Sequence, residues 1–214
     1  MDDHSADLIM AALGRHFTPK EIDDLILTNI EIHDLRKQLA EIDFEFFCRY
    51  YLPQHFTIPL GELHTTLFSD IEEMMSKSGT VHMLDVVFRG AGKTTIIALG
   101  LPLWAILTEK RHFIVVISDS ESQAKEKSID IKREIENNER IIEDYGNLVG
   151  DRWGEGAFET RNRRRVIALG AGMKIRGRKF GPHRPDLVIL DDIENRDEVR
   201  SPTLRSSLSY RSEE

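Results

Sequence analysis

Residues 81–101, VHMLDVVFRGAGKTTIIALGL, constrain this chain more than any other stretch. An apolar run from Met83 to Phe88, interrupted by Asp85, stops at Arg89-Gly90-Ala91-Gly92-Lys93-Thr94-Thr95, and a second apolar run follows. The order predicts strand, small-residue loop and helix, which together make a cradle for phosphate. Gly90 and Gly92 have no Cβ, so the backbone there can turn sharply and aim successive N–H groups at one anion. A helix beginning near Lys93 adds unpaired N–H groups and the positive end of its dipole. In such a cradle residues 89–95 wrap the phosphates of a nucleotide. Lys93 reaches the β- and γ-phosphates, and Thr94 offers its hydroxyl to Mg2+.

The usual phosphate-loop pattern, G-x-x-x-x-G-K-[ST], wants its first glycine at position 87, where Val87 stands. The match is partial, and a glycine-rich turn between strand and helix is the plain alternative. A second motif strengthens the first. Residues 187–195, LVILDDIEN, predict a strand that ends in two acids. If that strand runs parallel to the phosphate-loop strand, both end at the same sheet edge, where open α/β sheets bind ligands. Asp191 then holds Mg2+ opposite Thr94, and Asp192 is placed to polarise the attacking water. Glu194 is the second candidate for that carboxylate. An Asp-Asp pair at a strand end also serves as a turn or helix cap. Taken together, the motifs predict an α/β P-loop NTPase of the ASCE type that binds ATP and Mg2+. Its sheet is expected to be mostly parallel and flanked by helices, with an N-terminal helical extension over 1–42 and the ATPase domain over 43–214.

The 214 residues suffice for one medium domain with a small appendage. One cysteine, Cys48, excludes an internal disulfide and a cysteine metal framework, and it reads as a core residue. No apolar run approaches the roughly 20 residues of a membrane span. The acidic start, MDDHSADLIM, is unlike a secretory leader, so the expected location is cytoplasmic. A net charge of −8 argues, alone, against a nucleic-acid partner. Its distribution argues otherwise: Arg161 to Arg184 holds nine Lys/Arg and no acid, a local phosphate-binding signal or a solvated face.

In chain order, residues 1–17 are weakly patterned and expected to fray. Thr18-Pro19-Lys20-Glu21 reads as a capping box, and helical spacing from Ile22 to Ile42 predicts one or two helices. These pack on the domain after them or serve as a docking arm. Asp43 caps the aromatic segment FEFFCRYYL, and a helix with Leu63, Leu67, Ile71 and Met74 on one face precedes the phosphate-loop strand. His64 or Glu62 is placed there to touch adenine, or to face solvent. Pro102 must kink or restart the helix after the loop. Residues 113–117 form a buried strand, and Ser120 opens a helix whose stripe runs Ala124, Ser128, Ile131, Ile135, Asn138, Ile142. Residues 146–156 are expected as a loop, and 164–169 with 173–176 as a hairpin around Gly170-Ala171-Gly172.

Four pieces resemble the N-terminal ATPase domain of tailed-phage (prophage) terminase large subunits. They are the aromatic segment and helix over 43–75, RGAGKTT with Arg89, GAGMKIRGRKFGPHRPD over 170–186, and VILDDIEN with the following VRSP. The resemblance covers about 43–205. It implies an ATP-driven translocase for double-stranded DNA packaging, working with a terminase small subunit and a portal, on which a homo-oligomer can form. It also implies that Arg89 acts on the γ-phosphate, where a permanent charge with two parallel donors has clear use. A surface arginine capping the loop is the alternative. Arg176 and Arg178 are candidates for DNA backbone or inter-subunit contact, or simply solvated. The family's nuclease domain and coupling strand are not seen, so the chain reads as truncated. Alternatives are a helicase- or recombinase-like ATPase and a non-catalytic prophage remnant that binds nucleotide or a partner.

Overall fold

Six consecutive buried residues, Phe113–Ser118, form the strand β1 around which the sheet is laid. The computed structural model describes residues 3–27, 30–57, 59–83 and 92–193. β1 pairs in parallel with both Arg165–Gly170 (β4) and Leu187–Leu190 (β5). Val149–Trp153 (β2) and Ala157–Thr160 (β3) complete a five-stranded sheet of order β2-β3-β4-β1-β5. The β2–β3 and β3–β4 pairs are antiparallel, so the sheet is mixed where a mostly parallel one was expected. Connection length explains the difference. Only 154–156 and 161–164 join these strands, and parallel neighbours need a crossover of a dozen residues or more.

The expected loop over 146–156 thus contains β2, and the expected hairpin over 164–176 does not form. Residues 165–170 sit between β1 and β3 instead, and Met173–Ile175 are not strand. The glycine turn is real, with Met173 N–H donating to Gly170 O at 3.1 Å, but it leads out of the sheet. The connection from 171 to 186 lays Ile175 and Phe180 over Phe113, Val115, Ile117, Ile167 and Leu169 on one sheet face. Asp186 ends it by accepting the N–H groups of His112 and Phe113, at 2.7 and 2.8 Å, which pins the start of β5 beside the start of β1.

The other face meets the helices. Ile114, Val116, Val166, Leu187 and Ile189 share one core cluster with residues from Asp3–His16 (α1), Ile32–Ile42 (α3), Phe44–Tyr51 (α4) and Glu62–Ser76 (α5). Leu101–Leu107 (α6), Glu121–Asn137 (α7) and Glu139–Tyr145 (α8) join it, and Pro19–Leu27 (α2) packs against it through Ile22 and Leu25. Phe44, Phe46 and Phe47 are fully buried, each contributing about 1.5–3 kcal/mol relative to exposure. α1 is a formed helix where fraying was expected. Leu8, Ile9, Ala12 and Leu13 bury one face, and Arg15 and His16 bind the Asp43 carboxylate. Asp43 meanwhile caps α4 by accepting Phe46 N–H at 2.6 Å, as its position before the aromatic segment predicts. The Thr18–Glu21 capping box is present, with Thr18 N–H donating to Glu21 at 2.8 Å.

Two helices differ from their expected stripes. In α5 the buried set is Leu67, Phe68, Ile71 and Met75, while Leu63 is exposed. The helix opened by Ser120 ends at Asn137, because Asn138 turns to cap α8 by accepting Arg140 and Ile141 N–H. Cys48 is fully buried, and burial pushes its thiol pKa up. β5 is buried on one face only, leaving Val188 and Leu190 exposed. Among the described residues no helix is long and apolar enough to cross a membrane.

Candidate functional site

Parallel pairing of β1 with β5 brings Ser118 and Asp191 to one edge, with Asp191 N–H donating to Ile117 O at 3.0 Å. The Asp191 side chain is 1% exposed there. Gly92 supplies the turn facing it, at φ +69°, a conformation that costs residues with a Cβ and not glycine. Ile96 N–H donates to Gly92 O at 3.1 Å, so the helix starts as the sequence order predicts. The turns from Thr95 to Gly100 are π-helical, Leu101 N–H reaching back to Ile96 O, and α6 resumes at Leu101 with Pro102 in its first turn. Pro102 donates no N–H, and the π-helical turn directly before it accommodates that gap in the hydrogen-bond ladder.

Two sequence-predicted residues from the other end of the domain therefore meet Asp191. Thr94 Oγ1, 97 positions away in the chain, stands 3.5 Å from Asp191 Oδ1. Lys93 Nζ lies 4.0 Å from the same oxygen. Thr95 is half-buried in the first π-helical turn. Arg89, Gly90, Ala91 and Glu194 lie outside the described residues, as does most of the expected phosphate-loop strand. Asp192 is exposed and in the left-handed region at φ +50°, its carbonyl accepting Asp119 N–H at 3.1 Å. That bond ties the turn after β5 to the turn after β1.

One residue of the site was not foreseen. Lys127 of α7 donates from Nζ to Asp191 Oδ2, with its side chain 15% exposed. The charged remainder of α7 reads in sequence as a solvated face. The available signal was that Lys127 adjoins Ser128 on the buried stripe, three positions beyond Ala124. α7 is drawn tightly over the sheet at this end, since a Cβ on Gly170 would come within 2.7 Å of Glu121 N. The Ser118 hydroxyl at the same edge is buried with no hydrogen-bond partner among the described residues.

Chemically the edge offers one buried carboxylate, the hydroxyls of Thr94 and Ser118, two ammonium groups and the start of a helix. Among the described residues no group of three or more His, Cys, Asp or Glu could cage a metal. Mg2+ does not need such a cage. It is commonly held by one or two carboxylates, waters and the phosphates of a nucleotide. The donor set of Asp191 and Thr94 fits that mode. No family model, curated protein or solved structure matches this chain.

Proposed function

We propose that this chain is the ATP-binding and hydrolysing motor domain of a terminase-like large subunit, of the ASCE P-loop type, powering double-stranded DNA packaging. The observation that carries the reading is the meeting of Lys93 and Thr94 with Asp191 at the carboxyl edge of two parallel strands. Sequence motifs predict that meeting from segments almost a hundred residues apart, and a chance glycine turn would not require it. Lys93 would bind the β- and γ-phosphates, with residues 89–95 as the cradle. Thr94 and Asp191 would hold Mg2+, which when bound neutralises developing phosphoryl charge. Asp192 or Glu194 would orient water, and Arg89 would donate to the γ-phosphate. The work would be done in the host cytoplasm on a portal, with a small subunit as partner.

Lys93→Ala tests the site directly. It removes a mobile positive charge and leaves the backbone cradle, so Mg·ATP affinity should fall at least about tenfold, or 1.4 kcal/mol, with an unchanged circular dichroism spectrum. Equal affinity in the two proteins would sink the phosphate-loop assignment. Phosphate release with and without DNA then separates a DNA-coupled motor from a protein that only binds nucleotide.

A further inference from the structure

We infer that Lys127 is a tethered counter-ion which competes with the divalent cation for Asp191, so that metal loads more readily when nucleotide is present. The inference rests on the phosphate-loop reading of the same edge. The two oxygens of Asp191 are divided. Oδ1 faces Thr94 and Lys93, and Oδ2 takes the Lys127 ammonium. Lys127 is the closer and less exposed of the two lysines, 15% against 31%. Its backbone is fixed, because Ala124, Ser128 and Ile131 bury the adjoining face of α7. Its four-carbon stem is flexible, so the ammonium can leave the carboxylate without any helix movement.

A divalent ion arriving alone meets a carboxylate already neutralised, and like charges a few ångströms apart repel. A nucleotide brings its own anionic oxygens to the same edge. These give the displaced ammonium a second partner, and they complete a coordination shell that Asp191 and Thr94 only begin. Lys127 thus raises the threshold for metal binding until phosphate is present. This role differs from that of Lys93, which starts the loop helix and addresses phosphate directly.

The test is Mn2+ binding to the full chain without nucleotide, read from the free-ion electron paramagnetic resonance signal. Lys127→Met keeps the stem and removes the charge, and should tighten Mn2+ binding by roughly threefold or more. Lys127→Arg keeps the charge and should stay near wild type. Adding Asp191→Asn to Lys127→Met should abolish the gain. No tightening in Lys127→Met, an equal gain in Lys127→Arg, or a gain that survives Asp191→Asn would each overturn the inference. If Lys127→Met fails to fold by circular dichroism, Lys127→Gln carries the same comparison. Failure of the nucleotide reading looks different. Wild type would not bind Mg·ATP while Lys127→Met still gained Mn2+, leaving the charge competition standing alone.

Discussion

Two aspartates are equally hidden in this molecule and are held in opposite ways. The side chain of Asp144 is 0% exposed and that of Asp191 is 1%. Asp144, in α8, takes both Nε and Nη2 of Arg36 from α3, and the Tyr51 hydroxyl at 2.8 Å. Arg36 also reaches Glu143 at 2.7 Å and lies 5.7 Å from the Tyr50 ring centre. Its hydrogen bond to Asp144 raises the guanidinium pKa despite the opposing effect of burial. Asp191 has instead two ammonium groups on flexible stems and a hydroxyl at the limit of hydrogen bonding. A planar fork with five fixed donors makes a clamp, whereas point charges on long stems can be exchanged. Burial alone does not say which is which; the identity and reach of the partner do.

Removing one partner of a clamp leaves a buried charge uncompensated, so the largest effect is expected there. Arg36→Met should cost about 3–5 kcal/mol in urea unfolding. Its loss would loosen the seam between α3 and α8. The matching change at the exchangeable site, Asp191→Asn, keeps the side-chain shape and leaves two lysines that solvent can reach. It should cost clearly less folding free energy than Arg36→Met, because each ammonium sits on a flexible stem that can turn toward water. The same variant should lose Mg·ATP binding at least about tenfold. If Asp191→Asn were as destabilising as Arg36→Met, Asp191 would be a second clamp and the functional reading would lose its ground.

What the sequence disclosed follows the same division. The capping residues Thr18, Asp43 and Ser120 act as read, because a cap depends on neighbours within three positions. The strands at 113–117 and 187–190 were legible as apolar runs, but the neighbour expected for the second was the phosphate-loop strand, most of which lies outside the described residues, and its pairing with β1 was not read from the sequence. The Arg36–Asp144 clamp spans 108 positions and could not be read from spacing. Lys127 was hidden for another reason. Its helix is charged on most faces, and only the fold shows that the end of β5 passes beneath this one position. The antiparallel half of the sheet was not legible because β2, VGDRW, carries few residues that signal a strand, and part of it is exposed. β4 pairs with β1 rather than across the glycine turn, because its distant neighbour offers a fully buried partner strand.

The basic segment from Arg161 to Arg184 extends the comparison to cations. Arg164, 8% exposed, binds Glu109 at 3.1 Å and the Asn162 carbonyl at 2.9 Å. Arg165 lies 3.5 Å from Glu159 and close to the rings of Phe113 and Phe180, at 5.7 and 5.9 Å. These two are committed to the fold. Arg176, Lys179 and Arg184 are exposed, and Arg178 donates to the Lys174 carbonyl at 2.9 Å. If this segment meets the phosphates of DNA, the second group does so. Changing Arg176, Arg178, Lys179 and Arg184 together to Gln should alter stability by no more than about 0.5 kcal/mol. For every phosphate no longer neutralised, the slope of log affinity against log salt should flatten by about 0.9. Sequence preference should be absent before and after, since phosphate contacts carry none. Affinity measured by fluorescence anisotropy from low to moderate salt, on two unrelated duplexes, checks both points. An unchanged slope with a stable fold would remove this segment from the DNA interface and leave it a solvated cover over one sheet face.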